Sequence, residues 1–465
     1  MKQKPNIILI SIDTLRAGHV SCYGYPRRTT PNLDRIAREG TRYLHAYSTA
    51  VWTPPAHASM LTGLYPSQHG VVHQNKLAEG VPTLAELLRQ NGYQTAGFVN
   101  NSQVGELVGL HKGHEDFYEI WRGFGRSQLA RRAWNKAKEL LRYTDHGAAA
   151  TNAMIKNWLA HKKKTGQPFY LFVHYIDVHN PLRAPRRFAG KFFETALKKR
   201  VDTNKIRRIA DNPLICYTDD LQLNEAEQEA LTAIYDEEIC YLDHRLGQLL
   251  DWLKRHDYLD GTLLLLTADH GEHLGEHGQY SHVASVYEPV VHIPMILRYP
   301  GVLPENSEVE KLMQLTDVLP IVLSAAGVEY PGEAILTGSD LFWYHCFEKE
   351  RAFVVAEWEG RIPYFIQNRL RNTGTHVDLA WMREPLLMIR DRRHKLIKGS
   401  HSLRLYDLRH DGGENRDISE QAGGIVQRLL AQLEQWQVEN SMQLKAEEYE
   451  YDAEIKKHLT ALGYL

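Results

Sequence analysis

The sequence predicts an α/β fold: a large, mostly parallel central sheet between helices, followed by a small antiparallel sheet with a closing helix. Three observations predict it. Continuous apolar runs such as NIILISI and TLLLLTA have the character of strands buried on both faces. Amphipathic stretches ending in glycine alternate with those runs, as in βαβ units. After about residue 345, short strand-like segments follow one another without intervening helices.

Taken in order, NIILISID (Asn6 to Asp13) is an apolar run that ends in an acid. TPNLDRIAREGTRYLHAYS carries Leu33, Ile36 and Ala37 at helical spacing, with Gly40 as its stop. TLAELLRQNG is a second amphipathic helix, and YQTAGFVNN a strand. QPFYLFVHYIDVHNP is a buried strand that runs into a histidine-rich loop. AEQEALTAIYDEEICYLDHRLGQLLDWLKRHD is helical by period, GTLLLLTADHGEH is the strongest strand, and VVHIPMILRYPG is another. Beyond them AFVVAEWE, YFIQNRL, EPLLMIRDRRHKLIKG and HSLRLYDLRHD read as the antiparallel strands, and GGIVQRLLAQLEQWQVEN as the closing helix. The change of texture predicts a boundary near Cys346, dividing a catalytic unit (1–345) from a smaller one (346–465).

The totals narrow the function. With 465 residues the chain exceeds one simple core of roughly 100–200 residues. A formal net charge of -2 argues against a globally basic nucleic-acid binder. Cys22, Cys216, Cys240 and Cys346 are too scattered for a disulfide framework. The N-terminal apolar run stops at Asp13 without a cleavage motif, so it reads as a strand rather than a signal peptide. No segment approaches the ~20 apolar residues of a transmembrane helix, and a cytoplasmic location is expected. Two basic stretches, Gly125 to Tyr143 and Lys198 to Arg208, are read as solvated faces, with contact to a membrane or an anionic substrate as the sharper alternative.

Chemistry collects at strand ends. In parallel α/β sheets ligands sit beyond the carboxyl ends of the strands. The first strand ends at Asp13, the strongest at Asp269-His270, and Phe169–Tyr175 leads to Asp177 and His179. Carboxylates and imidazole on one edge suit a divalent metal with mixed O/N ligands. The 24 histidines include a cluster, DHGEHLGEHGQYSH, that spells H-L-G-E-H. Its glycines and the preceding strand argue against the regular helix that an HxxEH zinc site needs. In TAVWTPPAHASMLTG, Pro54 and Pro55 suit first helical positions, which makes Thr53 the natural N-cap. An N-cap hydroxyl lies among free N–H groups and the positive end of the helix dipole, where an oxyanion is favoured. From these residues alone, cap and nucleophile remain equally open.

NIILISIDTLRAGHVSCYGY, TPPAHASMLTGLYPSQHGV, FVHYIDVHNP, TADHGEHLGEHG and HIPMILRYPG together resemble the sulfatase family of the alkaline phosphatase superfamily. The resemblance is collinear from Asn6 to the closing LTALGYL and weakest from about Glu106 to Arg208. It implies an alkaline-phosphatase-like sandwich with a smaller C-terminal sheet. It also places Thr53 where sulfatases carry the cysteine or serine oxidised to formylglycine, with Pro55, Ala56 and His57 at the family's Pro, Ser and Arg. Threonine is not a substrate for that oxidation, so no formylglycine is expected and Thr53 would act as a plain alkoxide. The metal positions fall on Asp13, Thr14, Asp269 and His270, with Thr53 touching the ion. Imidazole in place of a hard oxygen favours Mn or Zn over Ca or Mg, and the Asp/Asp-His combination resembles phosphonate monoester hydrolases and threonine-dependent phospho-transferases. Two family lysines fall at Asn100 and His282, and the family's leaving-group histidine at His179.

The expected activity is metal-dependent hydrolysis of a sulfuric or phosphoric ester by in-line attack of Thr53. Thr53, His57, His179 and His282 are the expected catalytic residues, and Asn100 and Asp177 the substrate contacts. The substrate is a small anionic ester, on a glycan or lipid in one version. Transfer of a phospho group from Thr53 to such an acceptor is the alternative, and a silent oxyanion-binding protein the third. Substrate specificity is expected to reside in the region 100–210.

Overall fold

The computed structural model describes residues 4–123, 145–164, 166–329, 342–373, 377–441 and 446–465. The basic stretch expected at Gly125 to Tyr143 lies outside them. The strands of the first part are β1 (Asn6–Ile12), β2 (Thr41–Tyr47), β3 (Gln94–Val99), β4 (Asp116–Glu119), β5 (Phe169–Tyr175), β6 (Thr262–Ala268), β7 (His273–Leu274), β8 (Tyr280–Ser281), β9 (His292–Arg298) and β10 (Ser307–Gln314). Among the described residues, eight of them form one sheet in the order β10-β2-β9-β6-β1-β5-β3-β4. Only β9 runs against its neighbours, β2 and β6; the other pairings are parallel.

The centre of the sheet is built from the runs that the sequence marks as buried. β5 and β6 are buried along their whole length, and β1 at every residue after Asn6. Helices cover both kinds of surface that this leaves, among them Pro31–Arg38, Leu84–Gln90, Ala148–His161 and the 31-residue Glu225–Arg255. The long helix begins in a capping box: the Asn224 side chain accepts from the Glu227 amide, and the Glu227 carboxylate accepts from the Asn224 amide.

The stretch after Thr30 is a helix only to Arg38, and Gly40 marks a change of element rather than a mere stop. β2 begins at Thr41 and lies between β9 and β10. A Cβ on Gly40 would lie 2.2 Å from the Leu297 carbonyl oxygen of β9, so the close approach of the two strands requires glycine there.

The second sheet is antiparallel, in the order β11-β12-β13-β14, from Val354–Trp358, Leu386–Arg390, His394–Lys398 and Leu403–Asp407. The helix Gly423–Glu439 lies on it, and Val355, Ile389, Leu396, Leu405, Leu429, Leu433 and Trp436 form their own apolar cluster. YFIQNRL, expected as a strand of this sheet, is instead in the helix Tyr364–Thr373. The junction between the two sheets runs beside the start of the helix that carries Thr53. The Glu357 amide donates to the Thr49 carbonyl at 2.9 Å, and the Trp52 indole donates to Glu359 at 3.2 Å. No helix among the described residues is long and apolar enough to cross a membrane.

Candidate active site

Strand register assembles the site. Ile12 of β1 is level with Tyr175 of β5 and with Ala268 of β6. The next residues, Asp13 and Asp269, therefore emerge side by side at the carboxyl edge. The Asp13 amide continues the ladder by donating to the Tyr175 carbonyl at 2.8 Å. Beyond Asp13 the chain turns at Thr14, whose φ is 59°, and the Thr14 amide donates to Asp269 Oδ1 at 3.2 Å. Gly271 permits the next turn. A Cβ there would lie 2.1 Å from the Pro289 carbonyl oxygen, and its amide already donates to Val290 at 2.7 Å.

Asp13, Asp269 and His270 present one ligand atom each within 4.8 Å of one another, all buried. His270 Nε2 is 3.3 Å from Asp269 Oδ2 and 3.8 Å from Asp13 Oδ1. Both of those carboxylate oxygens are buried without a hydrogen-bond partner, as is the Thr14 hydroxyl. His270 Nδ1 lies 2.9 Å from the Gly271 carbonyl, which can only accept; Nδ1 therefore carries the proton, and the Nε2 lone pair faces the same point as the two carboxylate oxygens. Two orphaned carboxylate oxygens and one imidazole lone pair at a single point fit a divalent cation.

The electrostatics agree with that reading. Burial pushes the Asp269 carboxyl far above its usual range, and the Asp13 charge adds to the effect. Burial pushes Asp13 the same way, yet a hydrogen bond from His174 holds it well below that range. His174 Nε2 is 3.3 Å from Asp13 Oδ2, and the Asn101 amide donates to the same oxygen at 3.3 Å. Burial lowers His270 to about 3, so its ring is neutral and available as a ligand.

Thr53 opens the helix Thr53–Thr62 at this edge, but it does not cap it. The cap position belongs to Trp52, in extended backbone, and Thr53 is the first helical residue with Pro54 and Pro55 behind it. Its hydroxyl is consequently free of the backbone and faces the site: His270 Nε2 is at 3.4 Å and the Tyr464 hydroxyl at 3.5 Å. The expected double role as cap and nucleophile is corrected to one role. Two proline nitrogens carry no N–H, so the first turn of this helix has few free donors for a side chain to cap.

His57 lies under the nucleophile. Its Nδ1 donates to the Thr53 carbonyl at 2.9 Å, its Nε2 is 2.9 Å from the Ser11 hydroxyl, and burial lowers it to about 3. Both nitrogens are engaged, so His57 pins the first helical turn rather than meeting substrate. Asn100 also differs from expectation. Its Nδ2 donates to the Thr151 hydroxyl at 2.7 Å and to the His174 carbonyl at 3.1 Å, which spends it on the scaffold. The neighbour Asn101 is the one that reaches Asp13. Asp177 accepts from the His146 amide at 3.2 Å, and its charge acts on Glu238 and Tyr241, which places it in a separate acidic group.

His179 and His282 do lie close to the candidate metal residues. Their rings are 5.3 Å apart, and the His282 ring is 4.5 Å from that of His270. His282 Nδ1 is 3.1 Å from Glu272. Burial lowers His282 to about 4 and raises Glu272 to about 7, so both favour the neutral form. His179 Nε2 meets the Tyr464 hydroxyl at 2.9 Å. Thus His174, Asn101, Glu272 and Tyr464 join the site without having been singled out. His273 of the H-L-G-E-H stretch faces Ser285 at 2.7 Å, in β7 rather than in a helix, as its glycines predict.

A family model described as Sulfatase matches residues 5–328. The chain belongs to the sulfatase family. Among its relatives, a sulfatase of Formosa agariphila is 25% identical over 362 residues, which cover 70% of each chain. The fold is that of the phosphonate monoester hydrolase of Agrobacterium radiobacter, with a TM-score of 0.72 at 19% identity over 94% of this chain and 96% of that one. A structure solved in complex with its substrate D-glucosamine-2-N,6-O-disulfate superposes with a TM-score of 0.67 at 20% identity, over 94% of this chain and 98% of that one. The large sheet with its small antiparallel companion is the alkaline-phosphatase-like architecture expected from the sequence. This sulfatase-family chain is therefore a hydrolase of the sulfuric or phosphoric ester class.

Proposed function

We propose that the protein hydrolyses singly charged sulfuric or phosphoric esters, with Thr53 as the nucleophile. The observation that carries this reading is the Thr53 hydroxyl, free of any capping bond and 3.4 Å from His270 beside the two orphaned carboxylate oxygens. Asp13, Asp269 and His270 would hold one divalent cation of the Mn or Zn type, which supplies the positive charge that favours an alkoxide and offsets the ester's own.

The remaining groups divide the other tasks. His57 fixes the Thr53 carbonyl and hence the direction of its side chain. His174 and Asn101 orient Asp13 through its other oxygen. His179 and His282 would supply the proton that the leaving oxygen takes. Among the described residues, the partners recorded for the Thr53 hydroxyl are an imidazole and a phenol, not a lysine or arginine. Groups without a permanent positive charge beside the nucleophile favour an ester with one negative charge, such as a sulfate monoester or a phosphonate monoester, over a dianionic phosphate monoester. The sulfate groups of the D-glucosamine-2-N,6-O-disulfate bound in one structural relative carry such a charge.

Turnover of 4-nitrophenyl sulfate, 4-nitrophenyl phenylphosphonate and 4-nitrophenyl phosphate by the Mn- and Zn-loaded protein tests the reading. Hydrolysis of either of the first two in preference to the third is expected. Preference for the dianionic phosphate, or equal activity in Thr53→Ala, would overturn it.

A further inference from the structure

Tyr464 belongs to the segment that follows the helix Ala453–Ala461, and several bonds set its position. The Asn180 side chain donates to the Leu462 carbonyl at 3.0 Å, the Phe365 amide donates to the Tyr464 carbonyl at 3.1 Å, and the Tyr464 amide donates to Leu459 at 2.9 Å. The phenol that results stands between two groups of the site, 2.9 Å from His179 Nε2 and 3.5 Å from Thr53 Oγ1.

The hydrogen-bond directions follow from what each partner is able to do. His179 Nδ1 is 2.7 Å from the Asn180 carbonyl, an obligate acceptor, so Nδ1 bears the ring proton and Nε2 the lone pair. The Tyr464 hydroxyl must therefore donate to His179. Its oxygen is then left to accept, and the hydroxyl within reach is that of Thr53. His270 Nε2, 3.4 Å from Thr53 Oγ1, holds the lone pair that a cation shared with Asp13 and Asp269 would occupy. The path from the Thr53 proton to a base thus runs through Tyr464.

We propose that Tyr464 is a catalytic residue that relays the proton of Thr53 to His179. The proposal rests on the reading of Thr53 as nucleophile. As Thr53 Oγ1 forms its bond to phosphorus or sulfur, its proton passes to the Tyr464 oxygen while the Tyr464 proton passes to His179 Nε2. The bond to the leaving oxygen breaks with its electron pair on that oxygen. The proton held by His179 then passes to the leaving oxygen, the role proposed for this histidine, and that oxygen departs as the alcohol. Water then attacks the sulfur or phosphorus of the Thr53 ester and restores the threonine hydroxyl; water is the one further reactant, no oxidant is needed, and the imidazole ends neutral.

The test compares Tyr464→Phe, His179→Gln and their double variant in the metal-loaded protein, on whichever 4-nitrophenyl ester the native protein turns over. Tyr464→Phe keeps the ring that packs 5.2 Å from His179. It should lower kcat about 100-fold with KM within about twofold and metal content unchanged. The double variant should be no slower than the slower single one, because the two residues act as a unit. Multiplying effects, or a kcat within about threefold of native in Tyr464→Phe, would overturn the relay. If Tyr464→Phe lowers the melting temperature, 3-fluorotyrosine at 464 preserves the packing and changes only the acidity of the phenol. A changed kcat then supports the relay, and an unchanged one contradicts it. Activity retained in Thr53→Ala would instead remove the reading beneath it, a different result from an inactive Thr53→Ala beside an unaffected Tyr464→Phe.

Discussion

The Tyr464 hydroxyl and His179 Nε2 stand 2.9 Å apart although 285 positions separate them. The contact brings Tyr464 to the group of side chains around Thr53. It also shows that the C-terminal segment is part of the site and not an appendage to the second sheet. Removal of Tyr464 and Leu465 is expected to abolish turnover while leaving the metal content and the far-UV spectrum as in the full chain, since Asp13, Asp269 and His270 come from the central sheet.

Gly271 separates the candidate ligand His270 from Glu272, and its hydrogen atom faces the Pro289 carbonyl. A methyl group would lie 2.1 Å from that oxygen and 2.9 Å from Arg16 Cγ. Gly271→Ala should displace His270 from the two carboxylates, weakening metal retention by 10-fold or more on the order seen for disturbed ligand support. Equilibrium dialysis against Mn or Zn gives the affinity. Native affinity would show that the turn has room to yield.

Glu357, at the junction between the sheets, accepts from the Ser67 amide and hydroxyl, and burial raises its carboxyl from 4.5 to about 7. The folded state thus binds the proton more tightly than the unfolded state does. Its contribution is fully present below about pH 4.5 and is lost as the pH rises through about 7. Glu357→Gln should flatten that fall, leaving the variant more stable than the native protein above pH 7 by roughly 1–3 kcal/mol. Urea unfolding at pH 5 and pH 8 measures it, and parallel pH dependence in the two proteins would refute the assignment.

His57 ties Ser11 of the central strand to the Thr53 carbonyl. His57→Gln shortens the reach and breaks one of the two bonds, so kcat should fall about 10-fold or more while KM changes little. A 1 Å misplacement of a nucleophile carries a cost of that order or greater. An increase in KM alone would instead mean that His57 meets substrate.

These residues also show what was legible in the chain. β1, β5 and β6 are readable because burial on both faces leaves unbroken apolar runs, and their ends supplied Asp13, Asp269 and His270. β2 and β10 are harder to read: RYLHAY mixes cations and aromatics, and the first half of SEVEKLMQ is partly exposed. YFIQNRL has strand-like composition but forms a helix, because tertiary context outweighs a short propensity signal. His174 is concealed within the apolar run of β5, whose period gives no sign that one side chain reaches Asp13. The step from Asn100 to Asn101 is a single residue, below the precision of any strand boundary read from sequence. Tyr464 lies 411 positions from Thr53, and no local pattern signals a contact at that range.

In the proposed reaction Thr53 itself becomes covalently attached to the group it removes from the substrate. Rapid acid quench of the metal-loaded protein during turnover, followed by peptide mass spectrometry, tests it most directly. The account predicts a peptide containing Thr53 that carries one added sulfuryl or phosphoryl group, absent from Thr53→Ala, which is also inactive. An unmodified Thr53 peptide together with native turnover by Thr53→Ala would contradict it.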